Sequence, residues 1–355
     1  MQPLPITITG LGLCTALGES RAATWDALLA GRFISNHSRA LGNADDPRVV
    51  SLAQRVAGEA IAQAGWNDGE LGDCALVVGT SKGPIESWLA ESIQPVESYG
   101  LSSIATEVAG EFGIGGCRLT LSTACASGLH ALIRGAMLIR EGCARVLVVA
   151  AESSLHALFL GSFKRLGVLA PPSVGCRPFD EGRAGFLVSE AAAAVCLEAK
   201  RDRARVRIER FALGADATHL IRGDRRAQSL RRLVAAVIDN RPVDLVHAHA
   251  TGTVTNDPVE LAAIESAISR SDRPVLYSHK GALGHSLGAA GLVAVVLNCL
   301  CHERGIVPPN VRTTRALPMD LLKLSAASME RPIRRSLAVA SGFGGGAAAV
   351  TLISA

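Results

Sequence analysis

Short apolar strands alternate with longer helical segments along most of this 355-residue chain. The stretches CALVVGTS (74–81) and ARVLVVAAESS (144–154) are apolar at nearly every position, which is typical of strands buried on both faces. Between them, ASGLHALIRGAMLIREG (126–142) has apolar residues at helical spacing and ends at Gly142. Because such alternation favours a parallel sheet covered on both faces, the pattern predicts an α/β fold.

The second half of the chain repeats this rhythm. VDLVHAHATGT (243–253) and PVLYSHKGALGH (274–285) are predicted strands that run into polar loops, and a predicted helix follows each of them. We therefore predict a duplicated fold whose halves, residues 1–200 and 201–355, form one compact unit. The charged stretch EAKRDRARVR (198–207) is the expected boundary, although the halves show no letter-by-letter repeat.

Charge and cysteine usage narrow the class of protein. The net charge is +4, and we find neither an arginine-rich tail nor a basic run with interleaved aromatics, so we expect no nucleic-acid partner. The nine cysteines are scattered without a CxxC pair and no secretory signal precedes them, which favours reduced thiols and a cytoplasmic location. The longest apolar stretch, 287–301, is short for a membrane span, and we predict a buried helix there.

Cys125, within STACASG (122–128), lies where a predicted strand meets a predicted helix. Free cysteine is a small apolar residue, so packing alone would explain it. A thiol at the start of a helix, however, faces unpaired N–H groups and the positive end of the helix dipole, which favour the nucleophilic thiolate. Its small neighbours would leave room for a substrate.

His249 and His285 follow two further predicted strands, in HAHATGT (247–253) and HKGALGHSLGAAG (279–291). Taken singly, a histidine is more often a hydrogen-bonded structural residue than a catalyst. We give that ordinary interpretation to His37, His130, His156, His219, His247, His279 and His302. Cys125, His249 and His285 could in principle ligate zinc, but their loops lack the short paired ligand spacing of zinc sites, so we expect no metal.

Five segments in order give the chain a family resemblance. They are STACASG (122–128), RPFDEGRAGFLVSEAA (177–192), HATGTVTNDPVE (249–260), KGALGHSLGAAG (280–291) and GFGGGAAA (342–349). Together they resemble the β-ketoacyl-acyl-carrier-protein synthases of the elongating type, in the thiolase-like superfamily, of which this chain is a short and divergent member. The resemblance implies a duplicated α-β-α-β-α architecture with two mostly parallel or mixed sheets and buried central helices.

The resemblance also implies a cysteine–histidine–histidine site. By motif match, Cys125 is the acyl-accepting nucleophile, and His249 and His285 handle the decarboxylation of a malonyl group. Lys280 matches the lysine of the family and Glu260 its acidic partner. A carbonyl that becomes an oxyanion needs preorganised N–H donors, so both histidines should be neutral donors.

Further positions are implied around this centre. Phe343 matches the phenylalanine of the loop that gates the acyl pocket, and its N–H with that of Cys125 would form the oxyanion hole. Thr251 and Thr253 match the threonines that hold the phosphopantetheine arm. Lys164 and Arg165 are candidates for docking an acidic carrier protein.

The implied reaction is a decarboxylative Claisen condensation in fatty-acid or in specialised polyketide or polyene biosynthesis, with no metal or redox cofactor. The implied partners are acyl carrier protein and a second subunit, either an identical copy or a related ketosynthase-like chain. Two alternatives stay open: a chain-length-factor-like partner subunit, and an acyltransferase that uses Cys125 without decarboxylation. Ser341 and Gly346-Ala347 depart from the family pattern in the gating loop, which predicts a looser gate.

Overall fold

The computed structural model describes residues 5–43, 45, 47–88, 100–199, 206–221, 223–224 and 226–355. The strands are β1 (Ile6–Thr15), β2 (Ala75–Gly79), β3 (Arg118–Leu121), β4 (Arg145–Glu152), β5 (Ala191–Ala199), β6 (Val206–Ala215), β7 (Leu245–His247), β8 (Val275–Tyr277), β9 (Ile306–Val307), β10 (Lys323–Leu324), β11 (Met329–Glu330), β12 (Arg335–Ser341) and β13 (Gly346–Ser354). The helices are α1 (Arg21–Leu29), α2 (Arg48–Ala64), α3 (Asp68–Gly72), α4 (Ile85–Trp88), α5 (Ser103–Phe112), α6 (Ser127–Arg140), α7 (Ala157–Arg165), α8 (Gln228–Ile238), α9 (Asn256–Glu265), α10 (Lys280–Leu283) and α11 (Ala290–Arg304).

Local sequence explains where many of these elements begin and end. The Ser20 side chain accepts a hydrogen bond from the N–H of Ala23 and so caps α1. Asn67 and Glu70 form a reciprocal capping box on α3. Gly65, in the left-handed conformation, ends α2. Among the predicted elements, the helix at 126–142 and the strands at 74–81 and 144–154 form as α6, β2 and β4, with ends within two residues of the predicted ones.

The order of the strands in the sheet shows the predicted duplication. Within the described residues, one sheet has the order β10-β8-β7-β12-β13-β6-β1-β5-β4-β2-β3. Reading toward the centre of the sheet, the first half gives β3-β2-β4-β5-β1 and the second half gives β8-β7-β12-β13-β6, which is the same order of equivalent strands; β10 is an additional strand that pairs with the outer side of β8. The two predicted sheets are joined, because β1 pairs antiparallel with β6 from Ile6 opposite Ile208 to Ile8 opposite Val206.

The helices lie in layers around these strands. α6 and α11 contact each other and contact strands of both halves, so they form the buried central layer. α2 and α5 pack on the first half of the sheet, whereas α8 packs on β6 and β13 of the second half and contacts α9. The α-β-α-β-α fold class is therefore confirmed. The predicted boundary between residues 200 and 201 lies outside the described residues and stays a prediction.

α11 is the helix predicted from the apolar stretch 287–301. In the described residues, the segment Leu287–Arg304 has the length and hydropathy of a membrane-crossing helix, but 83% of it is buried inside the protein. Every residue of α11 from Ala290 to Cys301 is buried. This segment is therefore accounted for as the central helix of a layered fold.

The amino-terminal ends of the two central helices approach each other at Gly128. A Cβ at this position would lie 3.0 Å from the carbonyl oxygen of Gly288 and 3.0 Å from the backbone nitrogen of Leu292. We expect Gly128→Ala to lower the free energy of unfolding by about 1–3 kcal/mol, because overpacking forces the helices apart. Thermal unfolding measures this effect. The matched control is Gly110→Ala in α5, where no neighbour lies within 4 Å of the added Cβ; it should be neutral or stabilising.

Candidate active site

Cys125 lies in the tight turn between β3 and α6. The N–H of Ala126 donates to the carbonyl of Thr123, and the Ser127 hydroxyl donates to the carbonyl of Ala124. Ala124 has a φ of 48°, a left-handed conformation that costs energy for any residue with a Cβ. α6 begins at Ser127, so the thiol lies just before the helix, as the sequence predicted.

Cys125 is 8% exposed, and its side chain lies in an apolar cluster. The other buried members of this cluster are Phe163, Cys176, Phe186, Val188 and Leu287. Burial raises the pKa of Cys125 to about 12, while the charges of Lys280 and Lys82 act to lower it. The sequence argument favoured a thiolate because of the helix dipole; burial acts in the opposite direction and favours the thiol.

His249 follows β7 in a loop fixed by Glu260 of α9. The buried Glu260 carboxylate accepts hydrogen bonds from the N–H of His249 at 2.6 Å and of Ala250 at 2.7 Å. Ala250 has a φ of 40°, so these bonds hold a strained turn next to the imidazole. Burial raises the pKa of Glu260, and the two N–H groups and Lys280 oppose that shift.

His285 reaches the same place from the loop that follows β8. Its ring centroid is 5.5 Å from that of His249, with the planes at 82°. Phe186, a member of the Cys125 cluster, packs edge-on against His285 at 4.9 Å. The backbone of His285 pairs with the segment before β5: its N–H donates to Leu187, and its carbonyl accepts from Ser189. The structure therefore brings both predicted histidines to the surroundings of Cys125.

Both imidazoles are neutral at physiological pH. Burial lowers the pKa of His249 well below 6.5, and Lys280 and His285 lower it further. Burial, with Lys280, likewise lowers the pKa of His285 well below 6.5. A neutral imidazole can donate one N–H to an oxygen, which is the state that the sequence argument required.

Lys280 connects the two histidine loops. It is 2% exposed, and its Nζ donates a hydrogen bond to the carbonyl oxygen of His249. Burial lowers the pKa of Lys280, whereas Glu260 raises it, followed by the thiols of Cys176 and Cys125. The charge of Lys280 therefore acts on the pKa values of the other predicted residues, namely Cys125, His249, Glu260 and His285.

Left-handed backbone marks all three loops. Ala124 precedes Cys125, Ala250 follows His249, and Leu287, with a φ of 43°, lies two residues after His285. Strained conformations of this kind are retained where surrounding contacts over-determine them and concentrate at functional sites. The three loops follow β3, β7 and β8. β7 and β8 are neighbours in the sheet and β3 is equivalent to β8, so the three loops lie at the same end of the molecule.

The loop of Phe343 closes over this centre. Phe343 is partly buried and packs against the Cys125 cluster. A Cβ at Gly342 would lie 3.2 Å from the backbone nitrogen of Cys125, so the loop lies directly against the nucleophile turn. The N–H of Gly344 donates to Leu220, and the N–H of Asp216 donates to Gly345, which tethers the loop. The looser gate predicted from Ser341 and Gly346-Ala347 stays a prediction.

Of the remaining predicted residues, Thr251 is buried, Thr253 is half-buried, and Lys164 and Arg165 are exposed. The hydroxyls of Thr251 and Thr253 are 3.0 Å apart, and Thr253 Oγ1 accepts from the N–H of Asn256. Lys164 and Arg165 are exposed in the last turn of α7, whose buried Phe163 belongs to the Cys125 cluster. Their predicted docking role stays a prediction.

Sequence reasoning missed several residues of this site. Lys82 lies 5.0 Å from the ring centroid of Phe159, which packs against the Cys125 cluster. Cys176 is a second buried thiol in that cluster, with its Sγ 3.7 Å from the carbonyl oxygen of Thr251. Neither carries a local pattern that would reveal it, because both reach the site through non-local packing.

Comparison with known proteins agrees with this architecture. Residues 38–203 match the family model for the β-ketoacyl synthase N-terminal domain, and residues 213–314 match the model for the C-terminal domain. The tetracenomycin polyketide synthase ketoacyl synthase alpha subunit of Streptomyces glaucescens is 30% identical over 411 aligned positions, covering 98% of this chain and 96% of that protein. 3-Oxoacyl-[acyl-carrier-protein] synthase 2 of Mycobacterium leprae (strain TN) is 26% identical, covering 96% and 94%.

Solved structures share the fold. One is a ketosynthase in complex with its type II polyketide synthase acyl-carrier protein, with a TM-score of 0.90, 24% identity and full coverage of both chains. Another is the ishigamide ketosynthase/chain length factor, with a TM-score of 0.89, 24% identity and coverage of 99% of this chain and all of that chain. These likenesses define the fold as thiolase-like. The sequence matches carry the assignment further: the chain belongs to the β-ketoacyl synthase family, acyltransferases that form carbon–carbon bonds.

Glu260 offers a direct test of how the His249 loop is held. In Glu260→Gln, one side-chain oxygen becomes an NH₂ group that faces a backbone N–H. We expect a loss of about 1–3 kcal/mol in the free energy of unfolding and slower condensation. The control is Glu265→Gln on the same helix, because Oε1 of Glu265 alone accepts from both Asp320 and Leu321 at 2.8 Å and can be retained as the amide oxygen. Equal losses in both variants would contradict a specific role for Glu260.

Proposed function

We propose that this chain catalyses a decarboxylative Claisen condensation between an acyl group held on Cys125 and a malonyl group on an acyl carrier protein. The observation that carries the proposal is the convergence of a thiol and two neutral imidazoles from three loops around one apolar cluster. The rings of His249 and His285 lie edge-on to each other with their centroids 5.5 Å apart, and His285 contacts Phe186, a member of the cluster that contains Cys125.

The first half-reaction is acyl transfer. The sulfur of Cys125 attacks the thioester carbonyl of the acyl carrier, the bond to the carrier sulfur breaks, and the Cys125 proton leaves with the carrier thiol. The developing oxyanion needs N–H donors, for which the backbone N–H groups of Cys125 and Phe343 are the candidates. Because burial raises the pKa of Cys125, proton transfer that accompanies attack is favoured.

The second half-reaction forms the carbon–carbon bond. The malonyl carboxylate leaves as CO₂, and the charge left on the thioester oxygen is stabilised by the N–H groups of His249 and His285. The resulting carbanion attacks the acyl group on Cys125, and the sulfur leaves and takes up one proton. The reaction thus consumes one proton and needs no redox cofactor or metal, and the two half-reactions on one sulfur predict ping-pong kinetics.

The substrate class and partners follow from the relatives. The Streptomyces glaucescens relative is named as a polyketide synthase subunit, and one structural neighbour is described in complex with an acyl-carrier protein. We infer a polyketide-type pathway, an acyl carrier protein as donor, Thr251 and Thr253 as contacts of its phosphopantetheine arm, and Lys164 and Arg165 on its docking surface. Pairing with an identical or a related ketosynthase-like subunit and a cytoplasmic location belong to the same proposal.

The test is a two-stage incubation of the purified chain. Acyl carrier protein charged with an acyl group is added first, malonyl carrier protein second, and intact mass and released CO₂ are measured. The proposal expects an acyl adduct on the protein, then CO₂ and a carrier-bound β-ketoacyl product. An adduct without CO₂ would instead indicate a non-decarboxylating acyltransferase. Absence of an adduct would favour a chain-length-factor-like subunit that needs a catalytic partner.

A further inference from the structure

A buried carboxyl group joins three parts of the chain beside the site. Glu152 is the last residue of β4 and is 0% exposed. Its Oε1 accepts a hydrogen bond from the Ser154 hydroxyl at 2.6 Å. Its Oε2 accepts from the N–H of Ser81 at 2.9 Å, from the Ser81 hydroxyl at 2.5 Å and from the N–H of Gly288 at 3.1 Å. Glu152 therefore connects the end of β4 to the turn after β2 and to the loop of His285.

The contact with Gly288 holds the backbone that follows His285. Gly288 lies three residues after His285, and Leu287 between them has a φ of 43°. The peptide that joins Leu287 to Gly288 gives its N–H to Glu152, so this bond stabilises the left-handed conformation next to it. Leu287 is also a buried member of the Cys125 cluster. The hydrogen bond thus acts on a segment that contributes both a histidine and an apolar side chain to the site.

The backbone of His285 itself is held from a different direction. Its N–H donates to the carbonyl of Leu187, and its carbonyl accepts from the N–H of Ser189. These bonds fix the peptides on either side of the histidine, whereas Glu152 fixes the chain one turn later. Because the direction of a side chain follows from its backbone, both anchors contribute to the placement of the imidazole.

The approach of Glu152 to the backbone requires a glycine. A Cβ at Gly288 would lie 2.7 Å from Oε2 of Glu152 and 2.6 Å from the backbone nitrogen of Ser81. On the other side, a Cβ at Gly128 of α6 would lie 3.0 Å from the carbonyl oxygen of Gly288. The peptide is therefore packed between the carboxyl group and the helix that follows the nucleophile turn.

A comparable arrangement holds the loop of the other histidine. Glu260 accepts from the N–H groups of His249 and Ala250, and Ala250 has a φ of 40°. Glu152 likewise accepts from a backbone N–H directly after the left-handed Leu287. Each histidine loop is thus bonded to its own buried carboxyl group, although the sequence analysis singled out only Glu260.

We propose that Glu152 is a positioning residue for decarboxylation, because its side-chain oxygen holds the loop that places the imidazole of His285 beside His249. This inference rests on the proposed function. It assigns Glu152 no contact with the substrate and no proton transfer. Its effect is on the geometry of one N–H donor, so loss of CO₂ is the step that should depend on it.

Acyl transfer should depend on Glu152 much less. The nucleophile turn is held by bonds of its own, from the N–H of Ala126 to the carbonyl of Thr123 and from the Ser127 hydroxyl to the carbonyl of Ala124. The proposed oxyanion donors of that step are backbone N–H groups outside the loop of His285. A change at Glu152 should therefore separate the two half-reactions.

The test compares Glu152→Met with Glu152→Gln. The amide oxygen of glutamine can take the place of Oε2 and keep its three donors, and the NH₂ group can donate to the Ser154 hydroxyl. Methionine has a similar length but no oxygen to accept these bonds. We expect Glu152→Met to slow CO₂ release about tenfold or more, since a misplacement of about 1 Å can cost about 10²-fold. Acylation of Cys125 should stay within about threefold, and Glu152→Gln should keep most of both rates.

Two further variants complete the experiment. Ser154→Ala removes the donor to Oε1 and leaves the contact of Oε2 with Gly288, so both rates should stay within about twofold of the wild type. Gly288→Ala disturbs the same contact from the other side and should reproduce the selective loss of CO₂ release. The test therefore does not depend on one variant folding. Circular dichroism confirms the fold of each variant before the rates are compared.

Three results would overturn the inference: unchanged CO₂ release in folded Glu152→Met, equal losses of acylation and CO₂ release in Glu152→Met and Gly288→Ala, or CO₂ release as slow in Glu152→Gln as in Glu152→Met. Equal losses would show that Glu152 only supports the fold. A wild-type chain that releases no CO₂ would instead refute the proposed function itself, so the two failures are distinguishable.

Discussion

Replacement of Cys125 by alanine is expected to abolish formation of the acyl-enzyme, by about a thousandfold or more relative to the wild type. The reason is geometric. The sulfur lies in a turn strained at Ala124, within the apolar cluster that includes Phe186 and Leu287, and under the electrostatic influence of Lys280. No backbone group can replace the bond that the sulfur forms. Intact-mass spectrometry after incubation with acyl carrier protein measures the adduct directly.

Cys176 supplies the matched control for this experiment. It is 1% exposed and lies in the same apolar cluster, but its Sγ is directed to the carbonyl oxygen of Thr251 rather than placed in the nucleophile turn. Burial raises the pKa of Cys176 to about 12 as well, so thiol acidity does not distinguish the two residues. Cys176→Ala should keep the acyl adduct. An adduct that survives in Cys125→Ala and disappears in Cys176→Ala would reverse the assignment.

The local sequence was sufficient for the elements and for the loops that carry the chemistry. Continuous apolar runs predicted β2 and β4, and helical periodicity predicted α6 within two residues of its observed ends. The positions of Cys125, His249 and His285 at the ends of predicted strands came from the same reading. These features depend on neighbours in the chain, so a single sequence contains them.

The convergence of those loops depended on contacts that local pattern does not encode. β1 joins the two halves by pairing with both β5 and β6, and these partners lie far along the chain. The duplicated strand order, which brings the loops after β3, β7 and β8 together, is therefore a property of tertiary packing. Only the resemblance to a family predicted that Cys125, His249 and His285 belong to one site.

His247 and His279, a second pair of histidines beside the site, also show what the local sequence cannot predict. His247 alternates with His249 on one strand end, and His279 adjoins Lys280, so each lay beside a predicted residue. Nothing in that spacing says that Nε2 of His247 lies 2.8 Å from Nδ1 of His279, or that Nδ1 of His247 lies 2.8 Å from Oδ1 of Asn298 on α11. The pKa of Cys125 shows the same limit. The sequence argument considered only the helix dipole, which lowers this pKa, whereas burial, which only the fold determines, raises it.

His285→Ala is expected to separate the half-reactions. Removal of one N–H donor to a developing oxyanion commonly costs about 10²–10³-fold in rate, so CO₂ release from malonyl carrier protein should fall by that factor. Acylation of Cys125 should stay within about tenfold, because its oxyanion is bound by backbone N–H groups. Time-resolved intact mass and CO₂ release, measured on the same sample, provide the two rates. Loss of both to the same extent would contradict a specific role in decarboxylation.

The pH profile adds an independent check on the same residue. Because burial and Lys280 lower the pKa of His285 well below 6.5, the ring stays a neutral donor as the pH falls through 6.5, and wild-type CO₂ release should not titrate there. Stability behaves differently. The unfolded chain binds protons on His249 and His285 below about 6.5 whereas the folded site does not, so the contribution of these two residues to the free energy of unfolding should decrease as the pH falls below that value. A loss of decarboxylation centred at pH 6.5, with the fold intact by circular dichroism, would show that a charged imidazole cannot serve and that the folded pKa is not depressed.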